Sequence, residues 1–171
     1  MGNFAPVVQL ECKSMQYHIS GLPVAPFTPY FGLSTYALAN SGIIRRIVDS
    51  RPGFPCRVSL CDAELGESVL LLNYEHLNVA SPYRSQHAIY VRETAIEAKL
   101  APGEIPEVLR LRLLSVRGFD DAGMMVGADV VQGRELESVI TQLFANPQTA
   151  YLHVHNAKPG CYAARIDRWH R

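Results

Sequence analysis

Tyr151-Leu-His-Val-His-Asn-Ala-Lys-Pro-Gly-Cys-Tyr-Ala-Ala-Arg-Ile-Asp-Arg168 reads as two β-strands, 151–155 and 162–168, joined by a turn around Pro159-Gly160. Side chains alternate along a strand, so His153 and His155 project together beside Tyr151, while Leu152 and Val154 point the other way. One face of the hairpin is suited to burial. The other carries two imidazoles, and a carboxamide (Asn156) and a thiol (Cys161) follow at the turn.

Working outward from this hairpin, the preceding segment 133–146 places Leu136, Val139, Ile140, Leu143 and Phe144 at helical spacing and stops before Pro147. Residues 125–131 read as a strand. The stretch 109–117, Leu-Arg-Leu-Arg-Leu-Leu-Ser-Val-Arg, alternates but changes phase at Leu114, as a bulge or bend would require. Further upstream, 88–92 and the apolar run 69–72 read as strands, and the latter forms a hairpin with an alternating segment at 56–61. A helix starts at Ser34 or Thr35 and runs to just before Pro52, with Leu38, Ile43, Ile44, Ile47 and Val48 on one side. A short helix is expected at 94–100, and residues 15–22 begin with a first strand. Hairpins outnumber strand-helix-strand units. The fold class is therefore α+β, a single domain over residues 15–171 with a largely antiparallel curved sheet of about seven strands and two principal helices. Residues 1–14 show no period and are expected to form a disordered extension, with Met15 a candidate start.

At 171 residues and 48% hydrophobic, the chain suits one core. Sixteen basic residues balance sixteen acidic ones, so no global field gathers nucleic acid or an anionic membrane surface. No apolar run is long enough for a membrane span, and four scattered cysteines without a CxxC pair suggest reduced thiols. A cytoplasmic protein is the expectation. The familiar phosphate loops, the GxSxG elbow and the HExxH helix are missing from the sequence.

Several blocks resemble one bacterial family. Pro52-Gly-Phe-Pro-Cys-Arg-Val-Ser-Leu60, Asp62-Ala63, Gly66-Glu67, Ser81-Pro-Tyr-Arg84, Ser115-Val-Arg117, and His153-Val-His-Asn-Ala157 with Gly160-Cys161 are similar to the domain of unknown function 1203 family, over about Ile19 to Arg168. The resemblance implies a bacterial cytoplasmic protein and carries no reaction, cofactor or partner.

Three constellations bear chemistry. His153 and His155 on one strand face can share a metal ion, with Cys161, Cys56 or His76 completing the set. Cys161 can serve as a nucleophile with His155 as base and Asn156 or an Asp as orienter, which depends on register. A turn loop of 157–160 pairs Asn156 with Cys161 and puts the thiol away from the histidines, whereas a loop of 156–160 pairs His155 with Cys161. Arg57, Arg84, Arg117 and Arg165, with Tyr83 on a proline-stiffened loop, can converge on a carboxylate or phosphate. Each has a structural alternative: hydrogen-bonded histidines, a buried thiol, and ion pairs to Asp62, Glu67 or Asp167. Asp62 and Glu67 are also a candidate acid and base. The leading expectation is a small-molecule binding protein or enzyme for an anionic metabolite, with Arg57, Tyr83, Arg84, Arg117, Asn156 and Arg165 binding and His153, His155 and Cys161 reacting. Its competitor is a non-catalytic interaction or homodimerisation module.

Overall fold

Alternation in the last third of the chain builds what was expected of it. A computed structural model describes residues 16–169, so the extension at 1–14 and the candidate start at Met15 lie outside the described residues. Among these, eight strands form two antiparallel sheets rather than one. The larger sheet contains β1 (Tyr17–Ser20), β5 (Leu113–Phe119), β6 (Met125–Gln132), β7 (Tyr151–Asn156) and β8 (Tyr162–Arg168), in the order β1-β8-β7-β5-β6. The smaller holds β2 (Ile44–Ile47), β3 (Ser68–Leu77) and β4 (Ser85–Arg92), with β3 central. Helices are few: α1 (Thr35–Asn40), a single turn α2 (Glu107–Arg110), and α3 (Leu136–Ala145).

The α3 helix buries all five residues that its period selected. They pack on Leu114, Val116, Leu152, Val154 and Ile166 of the larger sheet, at roughly 1.5–3 kcal/mol per side chain. The other face of that sheet turns toward the smaller one. There Leu70, Leu72, Ile89 and Val91 form a second core with Leu38, Val58 and Tyr162.

Four expectations are corrected. The helix from Ser34 stops at Asn40, because Gly42 adopts a left-handed φ of 69° and redirects the chain into β2. Ser34 does cap it, accepting from Ala37 N at 3.2 Å. Its apolar spacing was misleading: Ile44 and Ile47 are exposed edge-strand residues. Residues 56–61 form no strand but a tight turn, with Leu60 N donating to Cys56 O, so β3 pairs with β2 and β4 instead. The 94–100 segment is not helical. The phase change near Leu114 arises because 107–110 is helical, burying Leu109 and exposing Leu111, before β5 begins.

Candidate functional site

Two β-bulges shape the region where the sheets face each other. Leu70, Leu72, Tyr74 and His76 share one phase of β3, and His87, Ile89 and Val91 share one phase of β4. The ladder pairs Glu75 with Gln86 and then Leu77 with Ser85, leaving His76 as the extra, unpaired residue. Opposite, β8 carries an extra residue, Ala163, where Val154 pairs with Ala164 but His155 pairs with Tyr162. That shift brings the buried Tyr162 ring parallel to His76, at 4.6 Å and 13°.

The outcome is a seam of four histidines. His76 Nε2 lies 2.7 Å from His87 Nδ1, and His76 Nδ1 lies 3.3 Å from His153 Nδ1. His155 sits edge-on to both His76 and His87, at 5.2 and 5.3 Å between ring centres. The positive φ of Gly160 lets the turn double back, and its carbonyl accepts from His155 Nδ1 at 3.1 Å. The proton of His155 is thereby fixed on Nδ1. Its Nε2 is left as a buried lone pair with no hydrogen-bond partner. Burial is the main force keeping the rings uncharged, lowering His76 to about 4 and His155 to about 3, with His87 and His153 lowered too. Arg117, paired across the ladder with His153, pushes all four in the same direction.

A second centre lies at the turn end of the β7–β8 hairpin. Asn156 N donates to Cys161 O at 2.9 Å, which selects the 157–160 loop and puts Cys161 in register with Asn156 instead of His155. The Cys161 sulfur accepts from Arg57 Nη2 at 2.9 Å and from Asn156 Nδ2 at 3.5 Å. Arg57 is buried, donates through Nε to Tyr162 O at 2.7 Å and through Nη1 to Pro55 O, and has no carboxylate partner among the described residues. Burial pulls its pKa down, because removing water penalises the charged form. The Asn156 Oδ1 is buried without a partner. These groups line a cavity of about 640 Å3 whose other polar members are His87, Arg112 and Lys158, and whose apolar wall includes Pro52, Leu71, Tyr90 and Leu113.

The expected site residues thus separate. His153, His155 and Arg117 meet in the seam; Arg57, Asn156 and Cys161 meet at the cavity. Arg84 is instead held by Glu75 in an exposed ion pair at 2.5 Å, and Arg165 by Asp167 at 2.8 Å while lying over the Tyr151 ring. Tyr83 contacts Phe119 edge-on at the margin of the seam. Asp62 is clamped by Arg112 through both oxygens, at 3.0 and 2.6 Å, and Glu67 by Arg92, so neither is placed as an acid-base pair. Cys56 lies elsewhere, its sulfur accepting from Arg92 N. His87 went unread in the sequence and belongs to both centres. Its signal was present, since it extends the buried phase of Ile89 and Val91 by one step.

A two-sheet α+β domain with a histidine-lined seam and an adjoining cavity is the class that these features define. The family model described as "Protein of unknown function (DUF1203)" matches residues 53–168, and the chain belongs to that family. The match holds all the resembling blocks from Gly53 onward and takes in β3 to β8 with both centres, but it does not extend upstream to Ile19, where the resemblance in sequence begins. No match is found among curated proteins or among solved structures. No helix of the described residues is long and apolar enough to cross a membrane.

Proposed function

We propose that the cavity binds a small molecule with an anionic head and an apolar body. The observation that carries this reading is Arg57: a buried guanidinium with no carboxylate partner among the described residues, on the wall of a cavity large enough for a metabolite. An unpaired buried charge is costly, and a ligand carboxylate or phosphate would supply the missing counter-charge. Lys158 at the rim adds a second positive group, and the partnerless Asn156 Oδ1 can accept from a ligand hydroxyl or amine. Cys161 is the nucleophile within reach of such a ligand; Arg57 and Asn156 surround its sulfur with donors, the kind of environment in which reactive thiols are found.

The test is a thermal-shift panel of carboxylates and phosphate esters with and without apolar tails, run on wild type, Arg57→Lys and Lys158→Ala. Ligands that bind only the folded state raise its melting temperature. The expected result is a shift by at least one anionic class that weakens in both variants. Folded wild-type protein that responds to neither class ends the proposal. Lys158→Ala, on an exposed turn, keeps the test open should Arg57→Lys fail to fold.

A further inference from the structure

We propose that His76, His87 and His155 hold one divalent transition-metal ion of the zinc type, a site separate from the anion cavity though it shares His87 with it. The three rings each offer a nitrogen, and these nitrogens lie within 4.8 Å of one another. A tetrahedral zinc with bonds of about 2.0–2.1 Å spaces its ligand nitrogens about 3.3 Å apart. The seam brackets that spacing. His76 Nε2 and His87 Nδ1, at 2.7 Å, need to part by roughly 0.6 Å to admit the ion, and His155 needs to move inward.

The carbonyl partner of His155 fixes its ligand atom, and one tautomer assignment of the other rings is consistent with it. His155 donates through Nδ1 to Gly160 O, so its buried, partnerless Nε2 is the ligand atom. His76 ligates through Nε2 while its Nδ1–H donates to His153 Nδ1, which makes His153 an outer partner. With His76 Nε2 bare, the 2.7 Å contact is a hydrogen bond donated by His87 Nδ1, and binding the ion moves that proton to His87 Nε2 and leaves Nδ1 as the ligand atom. Every ligand stays a neutral imidazole and no proton leaves the site. Metal-bound histidines typically have their second nitrogen anchored in this way.

Donor chemistry narrows the ion. Neutral imidazoles suit zinc, cobalt, nickel or copper, whereas magnesium and calcium require oxygen ligands. Among the described residues no carboxylate or thiol joins the three nitrogens. Three protein ligands leave a fourth position for water or a small anion. Arg117, whose charge reaches all four rings, opposes a bare dication and favours an anion in that position. A hydroxide or an exogenous carboxylate meets that requirement, and the Tyr162 ring closes one side of His76.

The experiment uses the full chain without an affinity tag. Metal content is measured after purification, and the chelated protein is titrated with cobalt(II) alone, a spectroscopic stand-in for zinc. The expected result is one equivalent bound with the visible absorption of tetrahedral cobalt, preserved in His18→Ala and lost in His155→Gln. His153→Ala should weaken binding about ten- to a hundredfold, as loss of an outer partner does. Folded wild-type protein that binds no cobalt, or His155→Gln that binds like wild type, overturns the proposal. If His155→Gln does not fold, ring-nitrogen NMR of the wild-type protein with zinc decides. Shifts at His76, His87 and His155 support the site, and shifts confined to other histidines refute it. Neither outcome depends on whether a carboxylate or phosphate binds the cavity.

Discussion

The histidine seam and the Arg57 cavity are neighbours that share His87, yet they handle burial in opposite ways. The seam gathers titratable groups and keeps them neutral, so little charge is left to compensate. The cavity keeps a cation, gives its donors two carbonyls and a sulfur to bond, and leaves its counter-charge to whatever enters. The difference is a lesson in ligand polarity. Lone pairs without protons invite a cation, whereas N–H donors without a carboxylate invite an anion.

The largest expected effect removes what the two regions share structurally. Tyr162 is buried with its ring on His76 and its carbonyl on Arg57, so Tyr162→Ala should cost about 3–5 kcal/mol, read as a lowered urea midpoint, and weaken both ligand responses. A loss below about 1 kcal/mol would mean that the seam is not packed as described. Next comes the cross-test. His155→Gln should abolish the cobalt response and spare the carboxylate or phosphate response, Arg57→Lys should do the reverse, and His87→Ala should weaken both. Identical behaviour of the first two variants would merge the regions into one site.

Acid should act first on the seam, whose buried rings take up protons more weakly than those of the unfolded chain and so lose stability as the pH falls below 6.5, and then on a carboxylate outside both regions. Glu93 is drawn from 4.5 to about 2, first by its hydrogen bonds from Arg45 and then by those from Ser68 and Gly32 N, and it ties β4 to β2. A depressed carboxyl contributes its full stability above pH 4.5 and loses it as the pH falls toward 2. Glu93→Gln should therefore make the acid limb of the stability curve shallower between pH 4.5 and 2 while leaving the earlier loss below 6.5 in place, and an unchanged lower limb would take Glu93 out of the acid response. Smallest of all, Arg84→Ala should leave melting temperature and both ligand responses within error, since its pair with Glu75 is exposed. Loss of the anion response in that variant would return the Ser81–Arg84 loop to the binding surface.

How much of this was legible in the sequence depended on whether a signal was local. The 3.6-residue period of α3 was readable because the helix buries one face, and the alternation of β7 and β8 was readable because the apolar residues of one phase pack on that helix, even though β7 is buried on both faces. The segment 34–51 misled because Ile43, Ile44 and Ile47 fit a helix as well as a strand, and Gly42 decided between them. His76 was visible only as an optional fourth ligand. Nothing local says that a residue will be the unpaired member of a bulge, or that β3 and β4 will lie over β7. The histidine cluster is a product of long-range sheet packing, and only its His153 and His155 half is written in one stretch.

Because His76 stands outside the ladder, Glu75 and Leu77 already have their own partners on β4. Deleting that single codon would let the strand zip up in regular register, with the sheet conserved and the ring gone. A lineage can thus discard or acquire this imidazole without redesigning the scaffold, which makes the insertion a natural on-off element for whatever the seam does.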